Sequence, residues 1–63
     1  MDNSHDNSEA MKYVKSIRDA VKRRFALSYL EWARAGRVGS MPSRGSLSLG
    51  RANALCTNLD ALI

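Results

Sequence analysis

The sequence predicts an all-α fold in which a long amphipathic helix and a shorter C-terminal helix form a helical hairpin, packed as a homodimer. Apolar residues recur at spacings of three and four through residues 7–35 and again through 47–63. A segment holding three of the four glycines and the only proline separates these stretches. A chain of 63 residues with one cysteine has a small core and no internal disulfide. We therefore expect one domain, 1–63, that gains burial by self-association.

The N-terminal part divides into a polar tail, 1–6, and a long helix, 7–35. Asp6 and Glu9 have the spacing of a capping box, in which both side chains satisfy free backbone N–H groups at a helix start. No proline or glycine interrupts the chain before Gly36, which stands where a C-terminal capping glycine is expected.

The second part consists of a Gly/Ser loop, 36–46, and a second helix, 47–63, capped by Ser46 or Ser48. In the second half of the long helix the apolar surface extends nearly all round, so it must be covered from more than one side. An aromatic–aliphatic cluster is expected in the core, with an interface hot spot as the alternative, and it comprises Phe25, Leu27, Tyr29, Leu30 and Trp32. Tyr13 and Tyr29 fall outside the main stripe, where contacts at a rim are the other interpretation. The expected core and dimer interface comprises Val14, Ile17, Val21, Phe25, Leu27, Leu30, Trp32, Leu55, Leu59 and Leu62.

A basic face is expected opposite the apolar stripe in the first half of the long helix. The net charge is +4, and Asp19 and Arg23 are spaced as an ion pair across one helical turn. Such a face contacts phosphates or an acidic protein patch, or it is simply solvated. The predicted partner-binding residues are Lys12, Lys15, Arg18, Lys22 and Arg23, with Arg24 at the edge and Arg37 and Arg44 from the loop.

Catalysis, metal binding and cofactor binding are not expected. The only histidine, His5, lies in the polar tail, and the only cysteine, Cys56, lies on the apolar stripe of the second helix. A zinc site takes four ligands, and general acid–base catalysis needs a base near the reacting group. Cys56 is expected to be a buried thiol, with an intermolecular disulfide as the alternative. The loop lacks the Gly-Lys-Ser/Thr ending of a phosphate loop, so no small-molecule substrate is expected.

The apolar runs are too short for a membrane span, and the start of the chain is polar and acidic, unlike a signal peptide. Together with one free thiol, this favours a cytoplasmic location.

The stretch Leu30-Glu31-Trp32-Ala33-Arg34-Ala35-Gly36-Arg37, followed by Met41-Pro42-Ser43, resembles the opening of some phage antitermination proteins. The spacing departs from theirs, and the parts of those proteins that bind zinc or contact DNA are missing here. The sequence is therefore identified with no specific family.

The function expected from the sequence is that of a small non-catalytic regulatory or inhibitory protein, of the phage or plasmid accessory type. It would bind and block another protein, such as a host factor with an acidic or apolar patch. The first alternative is a small basic nucleic-acid-binding transcriptional regulator, and the second is an amphipathic helix protein of the membrane surface.

Overall fold

Three α-helices form the fold of the computed structural model, which describes residues 9–63. They are α1 (Glu9–Ser16), α2 (Ala20–Arg34) and α3 (Leu49–Leu62). The described residues contain no strand, so the all-α prediction is confirmed. The predicted tail, 1–6, and the cap at Asp6 lie outside the described residues.

The prediction of one helix over 7–35 is wrong, because the chain leaves the helical path at residues 17–19, which we call the elbow. The Asp19 carboxylate accepts the backbone N–H groups of Val21 at 2.9 Å and Lys22 at 3.4 Å. Asp19 is therefore the N-cap of α2 and not the ion-pair partner of Arg23. Apolar periodicity does not detect such a break, because the stripe continues on both sides of it.

Helix α2 ends just before the C-terminal capping glycine, Gly36, that the sequence predicts. The N–H of Gly36 donates to the carbonyl of Ala33 at 3.1 Å, and that of Arg37 donates to the carbonyl of Trp32 at 3.0 Å. This pair of bonds is a Schellman motif, which needs a left-handed residue at Gly36, where φ is +99°. The chain thus turns sharply away from the axis of α2.

The second helix begins two residues later than predicted. Ser48 caps α3 by accepting the N–H of Arg51 at 3.3 Å, as one of the two predicted caps. Leu47 precedes α3 and lies in a turn, where its backbone N–H donates to the carbonyl of Arg44 at 3.1 Å. The Leu47 side chain is only 5% exposed, so it anchors the end of the loop in the core.

In the described part of the chain the core contains ten buried side chains, from all three helices and the loop. They are Ala10, Val14, Phe25, Ala26, Tyr29, Leu30, Leu47, Ala52, Leu55 and Leu59. Ala26 and Leu30 are fully buried, as expected for the second apolar face of α2, whereas Leu27 beside them is 37% exposed. The placement of Tyr29 at a rim is wrong, since this residue lies in the core and stacks against Phe25 with ring centroids 6.3 Å apart.

The predicted core and interface residues divide into three groups in the single chain. Val14, Phe25, Leu30, Leu55 and Leu59 are buried, and Ile17 and Trp32 pack half-buried against the core. Val21, Leu27 and Leu62 are exposed. The hairpin arrangement and the homodimer stay predictions.

Candidate functional site

The elbow divides the basic face that the sequence predicts. Lys12 on α1 is exposed and lies 3.6 Å from Glu9, one turn earlier. Arg18 lies in the elbow, and Lys22 is half-buried on α2. These three cations do not line the surface depressions described below, whereas Lys15 and Arg23 do.

Arg23 closes the elbow from the side of α2. Its Nη1 donates to the carbonyl of Ile17 at 2.9 Å, which satisfies an acceptor left over where α1 has ended. Ser16 donates its hydroxyl to the carbonyl of Tyr13 at 2.7 Å in the last turn of α1. The guanidinium of Arg23 is thereby held at the corner between α1 and α2.

A first depression, of about 420 Å³, lies between α2 and the returning loop. From α2 it is lined by one stripe, which includes Val21, Arg24 and Phe25, and from the loop by 42–46. Val21 is 43% exposed here. Arg44 contributes a second cation, and its Nη1 donates to the carbonyl of Leu47, so the loop turn holds this guanidinium.

A second depression, of about 340 Å³, lies between α1 and α2. Its apolar lining includes Met11, Val14 and Leu27, and its cations are Lys15, Arg23 and Arg24. Ala20 and Arg24 line both depressions, which therefore adjoin across one ridge of α2. We call the two depressions together the groove.

The groove is basic as well as apolar. Among residues 9–63, its lining contains four cations, namely Lys15, Arg23, Arg24 and Arg44, and no Asp or Glu. The nearest acid in sequence is Asp19, whose carboxylate is engaged in capping α2. An unbalanced set of like charges around apolar surface attracts a ligand that is both anionic and apolar.

Arg37, predicted as a partner-binding loop residue, makes internal contacts in the structure. Its Nη2 donates to Asp60 at 2.9 Å, and its Nη1 donates to the hydroxyl of Tyr29 at 3.1 Å. Its guanidinium carbon also lies 5.7 Å from the Tyr29 ring centroid and 5.6 Å from that of Trp32, within cation–π range. The Arg37 cluster (Tyr29, Trp32, Arg37 and Asp60) fastens the end of α3 to α2.

The electrostatics of the Arg37 cluster follow from these contacts. Hydrogen bonds from Arg37 and from Tyr29, which donates at 2.7 Å, lower the pKa of Asp60. Burial raises the pKa of Tyr29, and its bond to Asp60 raises it further. The backbone of Arg37 has a φ of +58°, a left-handed conformation that residues other than glycine rarely adopt. These partners hold Arg37 in that conformation.

Cys56 is half-buried beside the core, on the stripe that the sequence indicates. Burial raises the pKa of its thiol, and the nearby charge of Asp60 adds to this effect. Because the thiolate is the reactive form of cysteine, a raised pKa lowers the reactivity of this thiol.

Within residues 9–63, no three His, Cys, Asp or Glu side chains are grouped closely enough to hold a metal ion. His5 lies outside the described residues. None of the helices of the described part is both long enough and apolar enough to cross a bilayer.

The sequence places Arg24 at the edge of the basic face, but in the structure this residue is central to the groove. The sequence also gives no indication that 42–46 lies beside the first half of α2. A spacing pattern places residues on a helix face, whereas the path of an irregular loop depends on tertiary contacts such as the burial of Leu47. Only the turn residues in this loop could have suggested a change of direction.

The chain matches no protein-family model, no curated protein and no solved structure.

Proposed function

We propose that this chain is a small non-catalytic binding protein that regulates or inhibits another protein, by contacting it through the groove. The observation that carries the proposal is the combination of exposed apolar surface with four cations and no carboxylate in the lining that the described residues form. Protein interfaces combine a desolvated apolar centre with charged groups at the rim, and charge complementarity selects the partner. A cytoplasmic location is part of this proposal.

The aromatic residues favour a protein partner over single-stranded nucleic acid. Proteins that bind single strands stack bases on accessible rings. Here Phe25 and Tyr29 are buried, and Trp32 lies half-buried beneath Arg37. Tyr13 is half-buried, and its hydroxyl accepts the side-chain amide of Asn58 at 3.0 Å. All four aromatic side chains are thus used within the fold.

The four cations also suit a phosphate backbone, so contact with a nucleic-acid duplex is the second candidate function. Phosphate binding falls steeply with salt, because each neutralised phosphate releases counterions. Binding to an apolar and acidic protein surface should fall less steeply, since part of it comes from apolar burial.

The test is affinity capture from a nuclease-treated lysate of the source cell, read by quantitative mass spectrometry. The wild-type chain is compared with Arg24→Glu, which reverses a charge in the groove. Arg51→Glu makes the same charge change at an exposed α3 position outside the groove lining. We expect proteins that are retained by the wild type and Arg51→Glu and lost with Arg24→Glu. Equal capture by all three chains would contradict the proposal. Capture that occurs only in an untreated lysate, and is lost after nuclease treatment, would contradict it as well.

A homodimer belongs to the same proposal, on a surface other than the groove. Two copies meeting through the groove would bring their cations together, which is unfavourable. Leu62 and Ile63, at the end of α3, are exposed and apolar and suit this contact better. Light scattering over a range of concentrations tests the homodimer, and a monomer at every concentration would contradict it.

A further inference from the structure

We propose that the groove binds one amphipathic helix of an acidic partner, whose apolar side chains enter the two depressions while its carboxylates face the four cations. This inference rests on the proposed function and specifies the chemistry of the partner. It is carried by the shape of the groove and by the distribution of charge around it.

The shape of the groove suits a rod that crosses α2. The ridge between the depressions consists of Ala20, whose side chain is a single methyl group, and Arg24. A small residue at a crossing point lets two backbones approach closely. On either side of the ridge, Val21 and Leu27 are exposed, at 43% and 37%. An apolar side chain in each depression would cover one of these two residues.

A helix presents apolar side chains on one face at regular intervals, so successive anchors can enter two adjoining depressions. Positions i, i+4 and i+7 share one face and span about 6–10 Å along the axis. Helix-in-groove recognition uses this set of anchors. Other modes of peptide recognition lack their surface here. The described residues offer no strand edge for β-augmentation, and the aromatic rings that would hold a proline-rich segment are buried or covered.

The charges define which helix is accepted. Lys15 and Arg23 flank the second depression, Arg44 flanks the first, and Arg24 lies between them. Two of these groups are already positioned by carbonyl acceptors, Arg23 by Ile17 and Arg44 by Leu47. Their immobilisation on binding therefore costs less entropy than that of free side chains. A helix with carboxylates beside its apolar stripe is complementary to this arrangement, and the equally basic groove of a second copy is not.

The experiment titrates the intact chain with a fluorescent peptide of about 14 residues, roughly four helical turns, and follows anisotropy. The peptide carries leucine at i, i+4 and i+7 and glutamate at the flanking positions. A scrambled peptide keeps the composition and loses the stripe, a second control has lysine for every glutamate, and a short DNA duplex carries a similar negative charge.

We expect the acidic amphipathic peptide to bind about tenfold more tightly than the scrambled peptide, and the lysine peptide not to bind. Arg24→Glu and Leu27→Asn should each weaken binding about tenfold. Arg51→Glu and Leu49→Asn make the same changes at exposed positions outside the groove and should leave the affinity within about twofold. Circular dichroism establishes that each variant is folded.

Any of three control results would overturn the inference, and so would a failure of the acidic amphipathic peptide to bind. Equal binding of the scrambled peptide would mean that charge alone is recognised. Tighter binding of the duplex would assign the surface to nucleic acid. A dimer that Arg24→Glu dissociates would assign the groove to a second copy. If the peptide fails while Arg24→Glu still abolishes protein capture, the proposed function stands and only the acidic helix is rejected. If both fail, both are rejected.

Discussion

Replacing Asp19 with alanine removes the cap that separates α1 from α2. The Asp19 carboxylate accepts two backbone N–H groups at the start of α2, at 2.9 and 3.4 Å. The loss of an N-cap costs about 1 kcal/mol, within a range of about 0.5–2. A chain of this size has a free energy of unfolding of only about 3–5 kcal/mol. The midpoint of thermal unfolding should therefore fall by about 4–8 °C.

An opposing effect must be weighed against this loss. Alanine is a better helix former than aspartate by up to about 0.7 kcal/mol, which favours a continuous helix through residues 17–19. A continuous helix would carry α1 off the core, where Ala10 and Val14 are 1% and 2% exposed. Exposing Val14 alone costs about 1.5–3 kcal/mol, more than the gain in propensity. We therefore expect Asp19→Ala to be destabilised and to keep the elbow.

The assay is thermal unfolding followed by far-ultraviolet circular dichroism, with backbone chemical shifts for residues 17–19. Asp19→Asn is the matched control, since asparagine caps a helix about as well as aspartate, and its stability should stay within about 0.5 kcal/mol of the wild type. If Asp19→Ala is as stable as the wild type, or if residues 17–19 become helical, the reasoning is wrong.

Leu30→Ala should lower the free energy of unfolding by about 2–5 kcal/mol, because Leu30 is fully buried. Leu49→Ala, at a 62% exposed position, should change it by under about 0.5 kcal/mol. Urea titration measures both values, and similar losses in the two variants would contradict the described core. Because Arg37 and Tyr29 lower the pKa of Asp60, the stabilisation from this carboxylate is complete above its unfolded pKa of 3.8 and is lost as the pH falls through the lower folded value. The wild type should therefore lose more stability than Asp60→Asn on acidification below about pH 4, and parallel pH profiles would refute this. Cys56 should react with iodoacetamide more slowly in the native chain than in urea, because burial raises the pKa of its thiol. Mass spectrometry measures the two rates, and equal rates would contradict this prediction.

The features of the fold that were predictable from sequence are those fixed by local chemistry. Gly36 ends α2 because the left-handed turn there suits glycine, and Ser48 caps α3 because a short hydroxyl side chain reaches a free N–H. The elbow was missed although Asp19 was visible. An aspartate inside an apolar pattern is compatible with either a surface ion pair or a cap, and periodicity does not choose between them. The choice depends on where Ala10 and Val14 find burial, which is a tertiary question.

The candidate site was predictable to a smaller extent. Lys15 and Arg23 were identified as partner-binding residues, and both line the groove. Lys12 and Lys22 were grouped with them on the assumption of a straight helix, and the elbow removes that alignment. The roles of Arg37 and Arg44 differ for a related reason. Only their distances to Asp60 and to the carbonyl of Leu47 show which one is committed to α3 and which one lines the groove.

The docking of α1 on the core has a consequence for the fraction of molecules in which the groove is formed. Most of the stability of a helix in a protein comes from the tertiary packing of its apolar face rather than from intrinsic propensity, and this holds for α1. Its order therefore depends on docking, through Ala10, Val14 and the bond between Tyr13 and Asn58. The second depression is present only in the docked population, so the apparent affinity of any occupant scales with that population. Among the three helices, amide hydrogen exchange should accordingly be fastest in α1, and exchange in α1 should become slower when a ligand fills the groove. Ligand binding and the docking of α1 are then one coupled equilibrium.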